Sequence, residues 1–292
     1  RFISEASKIV SPYANLSYPF QVKVQAPSYG IDTVATRNQD DVNIATVSFS
    51  LGYDNEAGTQ DAVHFDNKSN TMVVAPAPLK SFGGINMKVF YFDDTARRRY
   101  RKEFPNNEID GIKIYRDGII TTPFAESKKK DDEKRDVLGI DKRIWENIFD
   151  RVSSREIIGI VEIKKKDNPA IIDATNRQDF VDNEEYRELK HFIITQLDAI
   201  ENYKKFARTQ KKKKTHDTLD ATGEIIQDFI TSVETITKEK PELKKSFEPV
   251  IQQAKKTDKA VKNVIKERKE AEEEFSRKEN IYMSIMSLQE YA

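Results

Sequence analysis

Residues 157–189 read IIGIVEIKKKDNPAIIDATNRQDFVDNEEYREL, and this stretch combines a strand, a loop and a helix in one continuous pattern. The run Glu156–Ile163 (EIIGIVEI) is mostly apolar and β-branched and has the length of a buried strand. Further along, apolar residues return at helical spacing, at Tyr186, Leu189, Ile193, Leu197, Ile200 and Ala207. The polar residues between these elements therefore form a loop at a strand-to-helix junction.

One arginine, Arg177, lies in this loop and is flanked by Asn176 and Gln178. A guanidinium presents a planar fork of donors that fits a carboxylate or a phosphate arriving from outside. The alternative, which local chemistry alone favours, is that Arg177 forms an ion pair with Asp173 or Asp179. The loop is thus a candidate anion-binding site with a purely structural alternative.

Two segments carry a family resemblance: Gly111–Glu126 (GIKIYRDGIITTPFAE) and the stretch Ile157–Leu189 quoted above. Together they resemble the transducer, or middle, domain of the GHKL ATPases, the superfamily of gyrase B, MutL, the ninety-kilodalton heat-shock chaperone and the Morc proteins. The likeness covers roughly residues 105–208. It is closest to bacterial Morc-like and chaperone-like ATP-binding proteins, some with a defence-related role against phage.

The resemblance implies a role for the loop arginine. In the chaperone branch, the arginine of a short turn reaches the γ-phosphate of ATP held by the preceding domain. The matching turn here is Asn176-Arg177-Gln178, in which the arginine is kept and the flanking serine and glutamate of the family are replaced. The resemblance therefore implies that Arg177 is the catalytic and cofactor-binding residue and that Asn176 and Gln178 orient it. Lys166, in the basic run after the strand, would supply secondary charge.

The patterns along the chain predict an α+β fold, with a mixed sheet and helices of the transducer-like β-α-β type, followed by a long helical, partly coiled-coil region. Between Tyr18 and Tyr91, short alternating runs separated by turn residues are typical of a largely antiparallel sheet. The predicted boundaries are a linker from an upstream ATP-binding domain at 1–16, a transducer-like domain at 17–208 and a helical stalk at 209–292. The charge run Lys128–Asp136 is interpreted as a solvated loop.

A heptad seam is visible in the last forty residues of the stalk. Its positions are Val250, Ala254, Thr257, Val261, Val264, Arg268, Ala271, Phe275, Lys278, Tyr282, Ile285 and Gln289. Apolar residues at most of these positions favour a coiled coil. Its partner helix is either Ala221–Lys238 folding back within the chain, or the same helix of a second subunit. The second possibility makes a homodimer through the stalk the expected assembly.

Composition excludes several classes of site. The chain contains no cysteine, so disulfides, thiolate metal sites and cysteine nucleophiles are excluded. Its apolar runs are far shorter than the roughly 20 residues that span a bilayer, and residues 1–10 lack a signal-peptide pattern. We therefore expect a cytoplasmic protein without a membrane partner. The missing initial methionine favours a fragment of a longer protein.

Motifs for a complete nucleotide pocket are also missing. No GxxxxGK[ST] or GxGxxG occurs, and the only adjacent glycines are Gly83 and Gly84. The three histidines lack metal-ligand spacing, so no metal site is predicted. ATP and Mg²⁺ are expected only through an upstream ATP-binding domain of the same protein. With 49 basic and 49 acidic residues, the balanced charge does not favour nucleic acid as a partner.

The predicted function is therefore to sense ATP bound in the upstream domain through the arginine loop and to relay the nucleotide state to the stalk and a downstream effector. The alternative is a non-catalytic module that binds protein or nucleic acid and dimerises through a coiled coil.

Overall fold

The structure of the chain is a computed structural model. It describes residue 3 and residues 6–10, 22–35, 39–123, 138–145, 150–174 and 180–289. The chain divides into two compact units, Arg1–Lys204 and Lys205–Ala292. The first unit contains sheets and helices and the second is helical, which confirms the predicted α+β class. Among the described helices, none combines the length and the apolarity that a bilayer crossing would require.

Ten strands and three α-helices are present in the described residues. The strands are β1 (Lys23–Ala26), β2 (Ile31–Val34), β3 (Val47–Leu51), β4 (Tyr53–Asp54), β5 (Thr59–Asp66), β6 (Thr71–Pro78), β7 (Ile85–Tyr91), β8 (Gly111–Arg116), β9 (Ile119–Pro123) and β10 (Ile157–Ile163). The helices are α1 (Asp94–Glu103), α2 (Glu184–Glu239) and α3 (Lys244–Gln289). Short 3-10 helices lie at Pro27–Tyr29, Gln39–Ile44, Lys142–Trp145, Ser154–Glu156 and Pro241–Leu243.

The main sheet has five strands in the order β3-β7-β10-β8-β9. It is mixed, because β10 pairs parallel to β8 while its other neighbour, β7, is antiparallel to it. The order β7-α1-β8 follows a β-α-β succession along the chain, but β10 lies between the two strands in the sheet. The single antiparallel sheet predicted before Tyr91 is wrong in one respect. Its strands divide among the main sheet, a β1-β2 pair and the sheet β4-β5-β6, although every pairing within the region is antiparallel.

The core of the first unit forms where α2 covers one face of the main sheet. Strand β10 is buried on both faces, which explains its nearly continuous apolar sequence. The helix contributes side chains that are at most 1 % exposed, namely Tyr186, Leu189, Ile193, Leu197 and Ile200. These are five of the six positions from which the helix was predicted. On the opposite side of the sheet, α1 packs Ala96 and Tyr100 against Ile158 and Ile160 of β10.

The second unit is a helical hairpin. Helix α2 ends at Glu239, and Pro241 opens the short 3-10 turn that leads into α3. The Lys255 ammonium lies 2.6 Å from the Glu234 carboxylate, and the Lys212 ammonium lies 5.6 Å from the centre of the Phe275 ring. Because residue numbers rise on one helix as they fall on the other, α3 runs antiparallel to the second half of α2. The fold-back alternative for the stalk is therefore present within the chain.

Of the nine seam positions whose side chains are described, the prediction is correct at three and wrong at six, because Val250, Thr257, Val264, Ala271, Phe275 and Lys278 are exposed. The least exposed positions on α3 are 247, 251, 254, 258, 261, 265 and 268, at heptad spacing. Ala254, Val261 and Arg268 belong to both sets. The buried position 258 is an aspartate, whose carboxylate pairs with the Lys262 ammonium at 2.8 Å. The predicted seam has Thr257 at this layer and is therefore displaced by one residue from the buried Asp258. The side chains of Tyr282, Ile285 and Gln289 are outside the described set.

Candidate functional site

The three residues of the predicted arginine turn, Asn176, Arg177 and Gln178, lie outside the described residues, which stop at Ala174 and resume at Phe180. Lys166 is described and is exposed. It lies in the turn after β10, in which the backbone amides of Asp167 and Asn168 both donate to the carbonyl of Lys164, at 3.1 and 2.9 Å. Lys166 therefore lies in the turn just after β10. The role of the arginine turn stays a prediction from the sequence.

The base of the loop that carries residues 175–179 is well defined. Asp173 and Phe180 form an antiparallel bridge, and the backbone amide of Val181 donates to the carbonyl of Ile172 at 2.8 Å. The chain thus leaves and re-enters the described region at paired positions. Asp173 and Phe180, which flank the predicted arginine turn in the described part of the chain, therefore lie side by side.

Arg116, the last residue of β8, anchors this base. Its guanidinium lies 3.1 Å from the Asp173 carboxylate and donates to the carbonyl of Asn168 at 3.3 Å. It also lies 5.9 Å from the centre of the Phe180 ring. The side chain of Arg116 is buried, so this ion pair is shielded from solvent on one side. Arg116 thus pairs with Asp173, one of the two carboxylates that the structural alternative assigned to Arg177.

The loop base lies at a position that favours ligand contacts. Ile163 at the end of β10 is paired with Arg116 at the end of β8, and these two strands are parallel. Both carboxyl ends therefore meet at one edge of the sheet. In open α/β sheets, ligands bind in the crevice outside the carboxyl ends of the strands. The turn Asp117-Gly118 and the lysine turn lie at the same edge, where the Lys165 amide donates to the Asp117 carboxylate at 3.3 Å.

The adjacent glycines Gly83 and Gly84 support this edge from the β6–β7 connection. A side-chain carbon on Gly83 would lie 1.8 Å from the backbone oxygen of Asp167, and one on Gly84 would lie 2.0 Å from the ring of Tyr53. The Asn168 amide donates to the carbonyl of Gly84 at 3.0 Å, and the Tyr53 hydroxyl donates to the Asp167 carboxylate. Burial, together with the Asp167 carboxylate, raises the pKa of Tyr53 to about 12. The sequence alone shows only that this glycine pair does not belong to a phosphate-binding loop motif.

Gly83→Ala should therefore lower the free energy of unfolding by about 1–3 kcal/mol, because the new methyl group overlaps a backbone carbonyl that cannot rotate away. Gly223→Ala is the matched control. Gly223 lies within α2, and no atom beyond the backbone of its own helix and its chain neighbours lies within 4 Å of the added carbon, so alanine there should raise stability by about 0.5–1 kcal/mol. Urea unfolding measures both changes. Equal and small effects would contradict the close packing of Gly83.

The loop connects directly to α2. The Asn183 side chain accepts from the backbone amide of Tyr186 at 2.9 Å, as an N-cap residue does, and donates to the carbonyl of Ala170 at 2.7 Å. The rings of Phe180 and Tyr186 pack edge to face at 5.2 Å. The end of the loop, the start of the helix and the segment after β10 are thereby held together. An asparagine three residues before Tyr186 is a capping signal that sequence analysis could have used.

A second set of contacts ties α2 to the beginning of β10. Glu201 is buried, pairs with Arg151 at 2.6 Å and Arg143 at 3.2 Å, and accepts from the Val152 amide at 3.3 Å. Burial raises the pKa of Glu201, and the two arginines partly offset that effect. Lys204 donates to the Arg151 carbonyl at 2.9 Å. Helix α2 therefore contacts residues that precede β10 in the chain as well as residues that follow it.

The sequence contains four basic clusters, Arg97–Arg99, Lys128–Lys130, Lys164–Lys166 and Lys211–Lys214, and their surroundings differ. On α1, Arg97 pairs with Asp94, and Arg99 pairs with Glu103 at 2.6 Å. Lys128–Lys130 fall in the part of the chain that the structure does not describe, as does the charge run Lys128–Asp136. Lys164–Lys166 and Lys211–Lys214 are exposed. Within the described ranges, no group of three or more histidine and carboxylate side chains could hold a metal ion, and the absence of a metal site stays a prediction.

No protein-family model, curated protein or solved structure matches this chain. The likeness to GHKL transducer domains therefore stays a prediction from the two quoted segments.

Proposed function

We propose that this chain is the transducer and stalk portion of a GHKL-type ATPase of the Morc-like or chaperone-like kind. In this proposal, Arg177 contacts the γ-phosphate of ATP held by an upstream domain, and Asn176, Gln178 and Lys166 support that contact. ATP and Mg²⁺ belong to the upstream domain. The loop conveys the nucleotide state to α2, and α2 conveys it along the stalk to a downstream effector.

The observation that carries this proposal is the attachment of the loop base to α2. The bridge between Asp173 and Phe180 closes the loop, and Phe180 packs on Tyr186 in the first turn of the helix. One face of the next four turns of α2 is buried in the core. A displacement of the loop would therefore move the start of the helix with it, since packed interiors transmit strain.

The position of α2 in the chain supports the relay. The helix includes residues Glu184–Glu239. It begins in the first unit and ends in the second. Its ion pairs through Glu201 and Lys204 also hold it to the residues that precede β10. These attachments hold the first five turns of α2 against the core that contains β10.

The alternative is a binding module in which Arg177 only stabilises the local fold. The buried Arg116 already pairs with Asp173 at the loop base, so the loop does not require Arg177 for its anchoring. This observation favours the relay over the module. The exposed run Lys211–Lys214 is the part of the chain that best fits a nucleic-acid partner, and its contacts would weaken as salt rises.

We expect the isolated chain to bind ATP weakly, with a dissociation constant above about 100 μM, because the adenine and Mg²⁺ ligands of the family lie in the upstream domain. Isothermal titration of the purified chain with ATP and Mg²⁺ tests this expectation. Titration with Mg²⁺ alone is the control for binding to exposed carboxylates. A low-micromolar dissociation constant for ATP would contradict the division of roles between the two domains.

A further inference from the structure

The helical hairpin has a second apolar face besides the one that holds its two helices together. Ile225, Phe229 and Ile236 of α2 are 69 %, 47 % and 43 % exposed, and Val250 and Val264 of α3 are 43 % and 50 % exposed. At 100° per residue, the three α2 side chains lie within about 40° of one another around the helix. Val250 and Val264, with Thr257 between them, form an equally narrow stripe on α3. Isolated exposed apolar residues are common on protein surfaces, but aligned stripes on two neighbouring helices are not.

The two stripes lie on the same side of the hairpin. The inward-facing positions of α2 are 216, 219, 223, 226, 230, 233 and 237, and those of α3 include 251, 258 and 265. Each exposed stripe is rotated about 70–110° from the inward-facing positions of its own helix, in the same rotational sense. Since the helices are antiparallel and face each other, equal senses of rotation bring both stripes to one surface. Ala221, Ser232 and Ala271 extend this surface with small side chains.

This surface, which we call the outer face, has ten uncharged positions, and one ionisable residue, Arg268, lies within the angular range of the α3 stripe. The uncharged positions are Thr218, Ala221, Ile225, Phe229, Ser232 and Ile236 on α2 and Val250, Thr257, Val264 and Ala271 on α3. Across the whole chain, 34 % of residues are charged, so a surface with ten uncharged positions and one arginine is poor in charge, as the centre of an interface is. Within the described part of the second unit, only Ile230, Val233 and Ile251 are buried apolar residues. A two-helix unit with so small a core gains stability from a partner.

The dimensions of the outer face match a protein interface. From Val250 to Phe275, which lies on the same stripe, α3 extends for about 38 Å. Two helices packed 8–10 Å apart present a strip roughly 20 Å wide. The product is about 750 Å², close to the roughly 800 Å² that each partner contributes to an interface of standard size.

The charges beside the outer face select the partner. Residues 217–234 of α2 contain five acidic and no basic residues, namely Asp217, Asp220, Glu224, Asp228 and Glu234. Residues 255–269 of α3 contain seven basic residues and two acidic ones. These blocks already face each other within one hairpin, as the Glu234–Lys255 pair shows. A two-fold axis parallel to the helices would place the acidic block of each α2 over the basic block of the α3 in a second copy.

We infer that the outer face binds the outer face of a second copy of this chain, forming a four-helix bundle with both Lys240 turns at the same end. The packing is that of a helix bundle, with α2 of each copy beside α3 of the other. It differs from the zipper predicted from the sequence, because each α3 pairs with α2 in its own chain as well as across the dimer. The inference does not rest on the ATP relay, and either can fail without the other.

Light scattering and sedimentation equilibrium of the full chain test the dimer directly. We expect a dimer at micromolar concentration. Phe229→Glu and Val264→Glu should each raise the dimer dissociation constant at least about thirtyfold, because each places a charge in the centre of a desolvated interface. Thr231→Glu and Gln252→Glu are the matched controls, since both positions are exposed and lie away from the outer face. They should leave the dissociation constant within about threefold of the unmodified chain.

A labelling experiment keeps the inference testable if a glutamate variant fails to fold. The chain has no cysteine, so Thr257→Cys and Gln252→Cys each introduce a single reactive thiol. Cys at 257 should react with a maleimide at least about tenfold more slowly at high than at low protein concentration, while Cys at 252 should react at one rate. A monomeric chain at high concentration would overturn the inference. A dimer in which position 257 remains fully reactive would place the interface elsewhere and overturn it as well.

Discussion

Asp110→Ala should lower the free energy of unfolding by about 3–5 kcal/mol, the largest loss of stability that we expect from a single charged side chain in this protein. The Asp110 carboxylate lies 2.5 Å from the Lys113 ammonium and 3.0 Å from the Lys8 ammonium. The three side chains are 5 %, 4 % and 9 % exposed. Removing a carboxylate that two buried ammonium groups share leaves positive charge in a poorly solvated place.

The expected loss has a structural consequence at the edge of the main sheet. Lys8 belongs to a segment that pairs with β9 through Val10 and Ile119, and its backbone carbonyl accepts from the Tyr115 hydroxyl at 3.0 Å. The sequence assigned residues 1–16 to a linker, and the described residues 6–10 lie against the sheet. Weakening the Lys8 contact should release this segment, which hydrogen exchange at the Ile120 amide would report, since that amide donates to Ile9.

Asp32→Ala is the matched control for Asp110→Ala. Asp32 pairs with Lys23 at 2.9 Å, but both side chains are more than half exposed, so its loss should cost less than about 1 kcal/mol. Urea unfolding of both variants separates a buried ion pair from a solvated one. Equal effects of the two substitutions would mean that Asp110 is not buried between the lysines.

Arg177→Ala should reduce ATP turnover by tenfold or more in the protein that joins this chain to its proposed ATP-binding domain. An arginine that stabilises charge on a transferred phosphoryl group contributes on the order of 10³ or more to turnover in other phosphoryl-transfer enzymes. A surface ion pair contributes at most about 1 kcal/mol to stability. If Arg177 contacts the γ-phosphate, its loss lowers the rate of ATP turnover. If Arg177 only forms a surface ion pair, its loss lowers the melting temperature slightly and leaves the turnover rate unchanged.

The sequence predicted the elements nearest the loop because their patterns are long and regular. The strand at Ile157–Ile163 and the buried stripe of α2 follow from apolar runs and helical spacing, and the structure confirms both. The division of the early strands into separate sheets could not be predicted, because pairing depends on residues distant in sequence. Strand β3, for example, pairs with β7 rather than with the strands that directly follow it, and β5 contacts Gln196 of α2, whose side chain accepts from the Val63 amide at 2.9 Å.

The supporting residues of the loop were harder to predict. Arg116 and Asn168 are polar, and nothing in their local sequence indicates that both are buried against the loop base. Gly83 is required by the backbone of Asp167, which follows it by more than eighty residues in the chain. The seam of α3 was displaced for a similar reason, since Asp258 is buried through contacts with α2 and Lys262 rather than by its own apolarity.

The relay is tested most directly by ATP turnover and melting temperature measured on the same Arg177→Ala protein. Arg187→Ala is the control, because Arg187 is an exposed arginine ten residues further along whose partner is Asp182 at 2.7 Å. We predict that Arg177→Ala loses at least about tenfold in turnover with an unchanged melting temperature, that Arg187→Ala retains turnover, and that Arg177→Lys recovers only part of the loss. Full turnover in Arg177→Ala, or a loss of activity that follows a loss of thermal stability, would contradict the relay and favour the binding module.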